Sequence, residues 1–115
     1  MQNYRQLFDL TGKTAVVLGA SSGIGQASAH ALGSLGAHVV CADRDTEGAQ
    51  ATAEQITQHG AGSAEWQTTD AASGADIAAL TAHTLAVRGR IDIAVAVPAL
   101  NIRKLIIDYT DDEFD

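Results

Sequence analysis

The sequence predicts an α/β fold built on a doubly wound parallel sheet. Three observations predict it. Short apolar segments alternate with stretches of helical periodicity, a glycine-rich turn joins the first segment to the first helix, and an acid closes the second segment. Alternation of that kind implies parallel strands joined by right-handed helical crossovers. The order reads β-α-β-α-β-α-β followed by the start of a further helix, with no internal repeat beyond the βα unit. At 115 residues the chain is expected to be one domain, 1–115, or part of one.

Lys13 to Leu18 is short, β-branched and apolar, which suits a strand buried on both faces of a sheet. From Ile24 the residues Ile24, Ala27, Ala31, Leu32 and Leu35 repeat at helical spacing, and Gly36 stands where a left-handed cap is expected. Between strand and helix, Gly19, Gly23 and Gly25 remove the Cβ atoms that would keep a phosphate away from the backbone. The unpaired N–H groups of the first helical turn then offer an anion site, with the hydroxyls of Ser21 and Ser22 beside it. A glycine triplet alone is also what a tight strand-to-helix turn needs for its geometry. What raises it above that is the second strand, Ala37 to Ala42. It ends in Asp43, 24 residues after Gly19, near where a dinucleotide-binding (Rossmann) unit places an acid for the ribose hydroxyls.

Asp45-Thr46-Glu47 opens a second helix with Asp45 or Thr46 as cap, a narrow stripe of Ala49, Ala53 and Ile56, and an end at Gly60 and Gly62. Ser63 to Thr69 reads as a third strand, less apolar than the others and so nearer a sheet edge, with Trp66 a packing residue. Asp70 ends it; there a carboxylate can meet an adenine amino group or cap the following loop. Ser73 to Asp76 has the form of a capping box, and Ile77, Leu80, Thr84 and Val87 continue a helical stripe to Gly89. Ile91 to Val97, closed by Pro98, is the most continuously apolar segment and is expected to be the central strand. Thr110 and Glu113 stand in capping-box relation at the start of a last helix.

Composition excludes several classes. The net charge of −7 argues against a nucleic-acid backbone partner, which needs a basic face. No segment reaches the roughly 18 apolar residues of a membrane span and no signal-type run opens the chain, so a cytoplasmic protein is expected. Cys41 is alone, which precludes an internal disulfide, and inside a strand it reads as a small buried apolar residue. His30, His38, His59 and His83 are scattered without ligand spacing, so no metal site is expected.

Taken together, these residues resemble the N-terminal half of the short-chain dehydrogenase/reductase family, and the similarity covers essentially the whole chain. Leu10 to Val17 is similar to the family's opening strand, and Gly19-Ala20-Ser21-Ser22-Gly23-Ile24-Gly25 to its cofactor turn. Asp43 falls where the family selects the adenosine ribose, Asp70-Ala71 beside the adenine ring, and Asp112 to Asp115 at the start of the helix after the fourth strand. The resemblance implies a Rossmann-type sheet truncated after that strand. It implies cofactor contacts from Gly19, Ser21, Ser22, Gly23, Ile24, Gly25, Asp43, Arg44, Asp70, Ala71 and Val97. Two positions depart from the pattern. Leu18 replaces a threonine whose hydroxyl would bond locally, implying a less rigid turn, and Ala96-Val97-Pro98-Ala99 replaces Asn-Asn-Ala-Gly near the nicotinamide ribose.

The family's catalytic serine and Tyr-x-x-x-Lys have no counterpart here, since Tyr4 is followed four residues on by Phe8 and Tyr109 by Glu113. No catalytic residue is assigned, and this chain alone is not expected to turn over. An oxidoreductase acting on a small alcohol or carbonyl, homo-oligomeric at full length, is what the resemblance implies for the parent function. The competing readings are a non-catalytic NAD-binding or protein-interaction module and a methyltransferase, which also uses a glycine turn and an acid ending its second strand. Asp43 favours NAD over NADP. A 2′-phosphate about 4 Å from its carboxylate would cost on the order of 4 kcal/mol at an effective dielectric near 20. Arg44 can moderate that repulsion by pairing with the phosphate.

Overall fold

The computed structural model describes residues 3–97. After a short 3-10 turn at Tyr4–Phe8, the elements are β1 (Thr14–Leu18), α1 (Gly23–Ser34), β2 (His38–Asp43), α2 (Thr46–His59), β3 (Ser63–Thr68), α3 (Gly74–Arg88) and β4 (Ile93–Ala96). The expected alternation is therefore present. All strand pairs are parallel, in the order β3-β2-β1-β4. The registers run from Thr14↔His38 to Leu18↔Ala42, from Ala15↔Ile93 to Leu18↔Ala96, and from His38↔Ser63 to Asp43↔Thr68. The helix expected around Thr110 and the Pro98 stop lie outside the described residues.

Strand side chains alternate between two layers. Ala15 and Val17 of β1 and Val39 and Cys41 of β2 meet Ala29 of α1 and Ala49, Ala53 and Ile56 of α2 on one face. Val16, Val40 and Ala42 meet Leu80 of α3 on the other. Helices thus cover both faces, which is the doubly wound α/β arrangement. Burial raises the Cys41 thiol to about 12, so it stays protonated and inert at neutral pH.

Expectations for α1 and β4 are corrected. The buried stripe of α1 is Gly25, Ala29 and Gly33, whereas Ile24 is 73% exposed and Ala27, Ala31 and Leu35 also face outward. The reason is proximity: a Cβ on Gly33 would stand 2.5 Å from Ile56 Cγ2, so α1 packs too closely for branched residues. β4 is not central among the described strands. It pairs only with β1, and Ala94 and Ala96 are exposed, while β1 and β2 occupy the middle. β3 lies at the opposite edge as expected, but Trp66 on it is 42% exposed and packs only partially.

Asp45 and Ser73 cap α2 and α3, accepting from the N–H groups of Gly48 and Asp76. α3 buries Leu80 and Thr84 but leaves Ile77 and Val87 of the expected stripe exposed.

The histidines are less scattered than their spacing implies. His38 Nε2 (β2) and His83 Nε2 (α3) donate to the two carboxylate oxygens of Glu65 (β3), at 3.0 and 2.8 Å, joining three elements. Burial would raise the Glu65 carboxyl, but the bonds from His83 and His38 outweigh it and hold it below the ordinary 4.5. A depressed carboxyl stabilises the fold above the unfolded value and loses that contribution as pH falls through the folded one. Glu65→Gln is therefore expected to lower the urea midpoint at about pH 7, with the difference from the parent chain shrinking as the pH falls below the ordinary 4.5 and through the lower folded value. A constant difference across that range would rule the clamp out.

Candidate functional site

Parallel strands point their C-terminal ends to one edge, and a ligand crevice opens where chains leave neighbouring strands in opposite directions. Here that reversal falls between β1 and β4, since β2 and β3 lie on the far side of β1. A cavity of about 630 Å³ opens at this edge. It runs from Val97 after β4, past Leu18 and Gly19 at the end of β1, to Asp43 at the end of β2, Arg44 after it, and Thr69 to Ala72 after β3.

The turn into α1 is built by backbone contacts. Gly19 takes a φ of 92°, and its N–H and that of Ala20 both donate to the Ala42 carbonyl, at 2.8 and 3.2 Å. Gly25 lies buried against the turn: a Cβ there would stand 1.8 Å from the Gly19 oxygen. The first bond of α1 runs from Gln26 N–H to the Ser22 carbonyl, at 3.3 Å. The N–H groups of Gly23, Ile24 and Gly25 precede it and have no partner within the helix. Ser22 makes no side-chain cap, in contrast to Asp45 on α2 and Ser73 on α3. Open amides at the positive end of a helix dipole suit an anion.

Asp43 stands across from this turn. Its Oδ2 accepts from Ser21 N–H at 3.1 Å and its Oδ1 from Asp45 N–H at 3.0 Å. Burial works against its charge, but the Asp45 and Ser21 donors prevail and keep the carboxyl below its ordinary 3.8. Each oxygen has a second lone pair to accept from a ligand hydroxyl. Asp70 caps its own loop, accepting from Ala72 N–H at 2.9 Å, and its N–H donates to Asp76 Oδ2 at 2.8 Å.

Of the residues singled out in the sequence, Gly19, Ser21, Ser22, Asp43, Arg44, Asp70, Ala71 and Val97 line the cavity. Gly23, Ile24 and Gly25 are not in its lining; Gly25 shapes the turn from beneath, and the Ile24 side chain faces outward. Thr69 and Ala72 line it without having been singled out, and Leu18, noted in the sequence only as a departure from the family's turn, lines it as well. Their signal was positional, as each lies at or just after a strand's C-terminal end. A smaller cavity of about 250 Å³ lies between the C-terminal halves of α1 and α2, beside His30, Ile56 and His59. Among the described residues no group of three or more His, Cys, Asp or Glu is arranged to hold a metal ion. None of their helices is long and apolar enough to cross a membrane.

A family model described as short chain dehydrogenase matches residues 13–115. The chain belongs to the short-chain dehydrogenase/reductase family. It is 35% identical over 101 residues to a short chain dehydrogenase/reductase of Aspergillus oryzae, covering 88% of this chain and 39% of that one. A crystal structure of a short-chain type dehydrogenase/reductase from Mycobacterium marinum superposes with a TM-score of 0.82 at 32% identity, covering 98% of this chain and 45% of that one. A metagenomic short-chain oxidoreductase in complex with NADP gives 0.71 at 45% identity, covering 75% and 38%. The chain spans about two-fifths of the length of the curated relatives it matches first.

Proposed function

We propose that this chain forms the nucleotide-binding side of an NAD(P)-dependent oxidoreductase, with the cavity at the strand ends as the cofactor site. The observation that carries the reading is the pairing of an uncapped α1 N-terminus with the ionised Asp43 across the same cavity. A dinucleotide needs both: amides for its pyrophosphate and a carboxylate for its adenosine ribose. The open amides of Gly23 and Ile24, with the hydroxyls of Ser21 and Ser22, would face the pyrophosphate, Asp43 the ribose, Asp70 and Ala71 the adenine, and Val97 the nicotinamide end. A nicotinamide cofactor bound there would supply the hydride acceptor for oxidation of an alcohol to a carbonyl, or the hydride donor for the reverse reduction. The groups that handle that proton are not assigned to this chain. Cytoplasmic location and homo-oligomeric assembly belong to the same reading.

NAD is the proposed cofactor because Asp43 would oppose a 2′-phosphate. Arg44 in the same lining, and the NADP held by the metagenomic relative, favour NADP as the second reading. Calorimetric titration of the chain with NADH, NADPH and S-adenosylmethionine tests all three chemistries. Binding of NADH with NADPH at least tenfold weaker and no response to S-adenosylmethionine is expected. Absence of binding by either dinucleotide, with S-adenosylmethionine bound, would overturn the reading.

A further inference from the structure

Thr52 lies in the middle of α2, is fully buried and is not part of the cavity lining. Its hydroxyl donates to the Ala20 carbonyl at 2.8 Å, reaching across 32 residues to the glycine-rich turn. The Gly48 carbonyl on its own helix is the alternative acceptor at 3.1 Å, and the Gln26 side-chain amide of α1 donates to the Thr52 oxygen at 3.4 Å. A mid-helix threonine ordinarily turns its hydroxyl back on its own helix. Here the shorter bond leaves the helix for the turn.

The Ala20 carbonyl shares a planar peptide with Ser21 N–H, and that N–H donates to Asp43 Oδ2 at 3.1 Å. One peptide plane is therefore gripped at both ends, by Thr52 from α2 and by Asp43 from the end of β2. α2 meets the turn at a second point, since a Cβ on Gly48 would stand 2.5 Å from the Ser21 Cβ. Asp45, which caps α2, donates its N–H to the other oxygen of Asp43 and closes the loop of contacts.

We propose that Thr52 is a positioning residue for the cofactor turn, fixing the Ala20–Ser21 peptide so that the turn amides and the Asp43 carboxylate face the nucleotide in one arrangement. The clamp supplies from α2 the rigidity that Leu18 does not, since the Leu18 side chain packs into the α3-side core instead of bonding in the turn. Removing the hydroxyl orphans a buried carbonyl, because among the described residues Thr52 is the donor that meets it. The peptide is then free to turn, and Ser21 N–H lets go of Asp43.

The proposal rests on the dinucleotide reading for its binding readout alone. Thr52→Val, which keeps shape, and Thr52→Ser, which keeps the hydroxyl, are compared with the parent 115-residue chain by amide hydrogen exchange and by NADH titration. Thr52→Val is expected to speed exchange at Ser21 by about tenfold and to raise the NADH dissociation constant by about fivefold. Exchange at Val16 and Val17 of β1 should stay within about twofold, and Thr52→Ser should restore both readouts. Unchanged Ser21 exchange, a uniform rise that includes β1, or failure of serine to rescue would each overturn the positioning role. A local rise at Ser21 with NADH bound as tightly as before would overturn it as well. If the parent chain binds no NADH while Ser21 still responds locally, the dinucleotide reading falls and the clamp on the turn stands.

Discussion

Gly25→Ala is expected to destabilise the chain by about 3 kcal/mol and to weaken NADH binding by roughly 10–100-fold. The new Cβ would sit 1.8 Å from the Gly19 oxygen and 2.6 Å from its carbonyl carbon. Both are backbone atoms, so no rotamer change relieves the contact, and α1 must move away from the turn. That movement withdraws the free amides of Gly23 and Ile24 from the anion they would meet, so stability and binding fall together. Gly74→Ala is the control, because nothing lies within 4 Å of a Cβ there and the residue sits in the first turn of α3. It is expected to be neutral or slightly stabilising. Urea melts and NADH titration of both variants check the pair. A Gly25→Ala chain that melts and binds like its parent would mean that α1 does not pack on the turn as described.

Asp43→Asn is expected to invert or abolish the preference for NADH over NADPH, shifting the ratio of their dissociation constants by roughly 100-fold. The carboxylate lies at the cavity edge, where a like charge about 4 Å away costs on the order of 4 kcal/mol before Arg44 offsets part of it. The amide oxygen keeps an acceptor for Ser21 N–H and gives up the one that met Asp45 N–H, so the contact to the turn is retained while the charge is removed. Because the folded carboxyl lies below its ordinary 3.8, the charge and the preference should persist at all pH values above it. Parallel titrations with the two reduced dinucleotides measure the ratio, and an unchanged ratio would remove Asp43 from cofactor choice.

The sequence made legible whatever depends on local chemistry. The strand-turn-helix from Thr14 to Ser34 follows from β-branched residues running into glycines, and Asp43 and Asp70 are readable because acids at parallel strand ends face the crevice. The caps Asp45 and Ser73 were readable for the same reason. What depends on tertiary distance was not. The buried face of α1 is made of Gly25, Ala29 and Gly33, and hydrophobic periodicity follows large side chains while close packing selects small ones. Among the described strands β4 pairs with β1 alone although it is continuously apolar, because apolarity reports burial by any neighbour and strand order comes from the crossovers. Thr52 stands among alanines and looks like helix filler until the turn is folded against it. Glu65 and its two histidines lie 18 and 27 residues apart in sequence, and only the sheet and α3 bring them together.

The most direct measurement is an amide chemical-shift map of the 115-residue chain titrated with NADH. The expected result is saturable shifts at Gly19 to Gly25, at Asp43 and Arg44, and at Ala71, Ala72 and Val97, with His30 and His59 beside the smaller cavity unmoved. Shifts gathered around His30, Ile56 and His59, or none at millimolar NADH, would contradict a dinucleotide site at the strand ends.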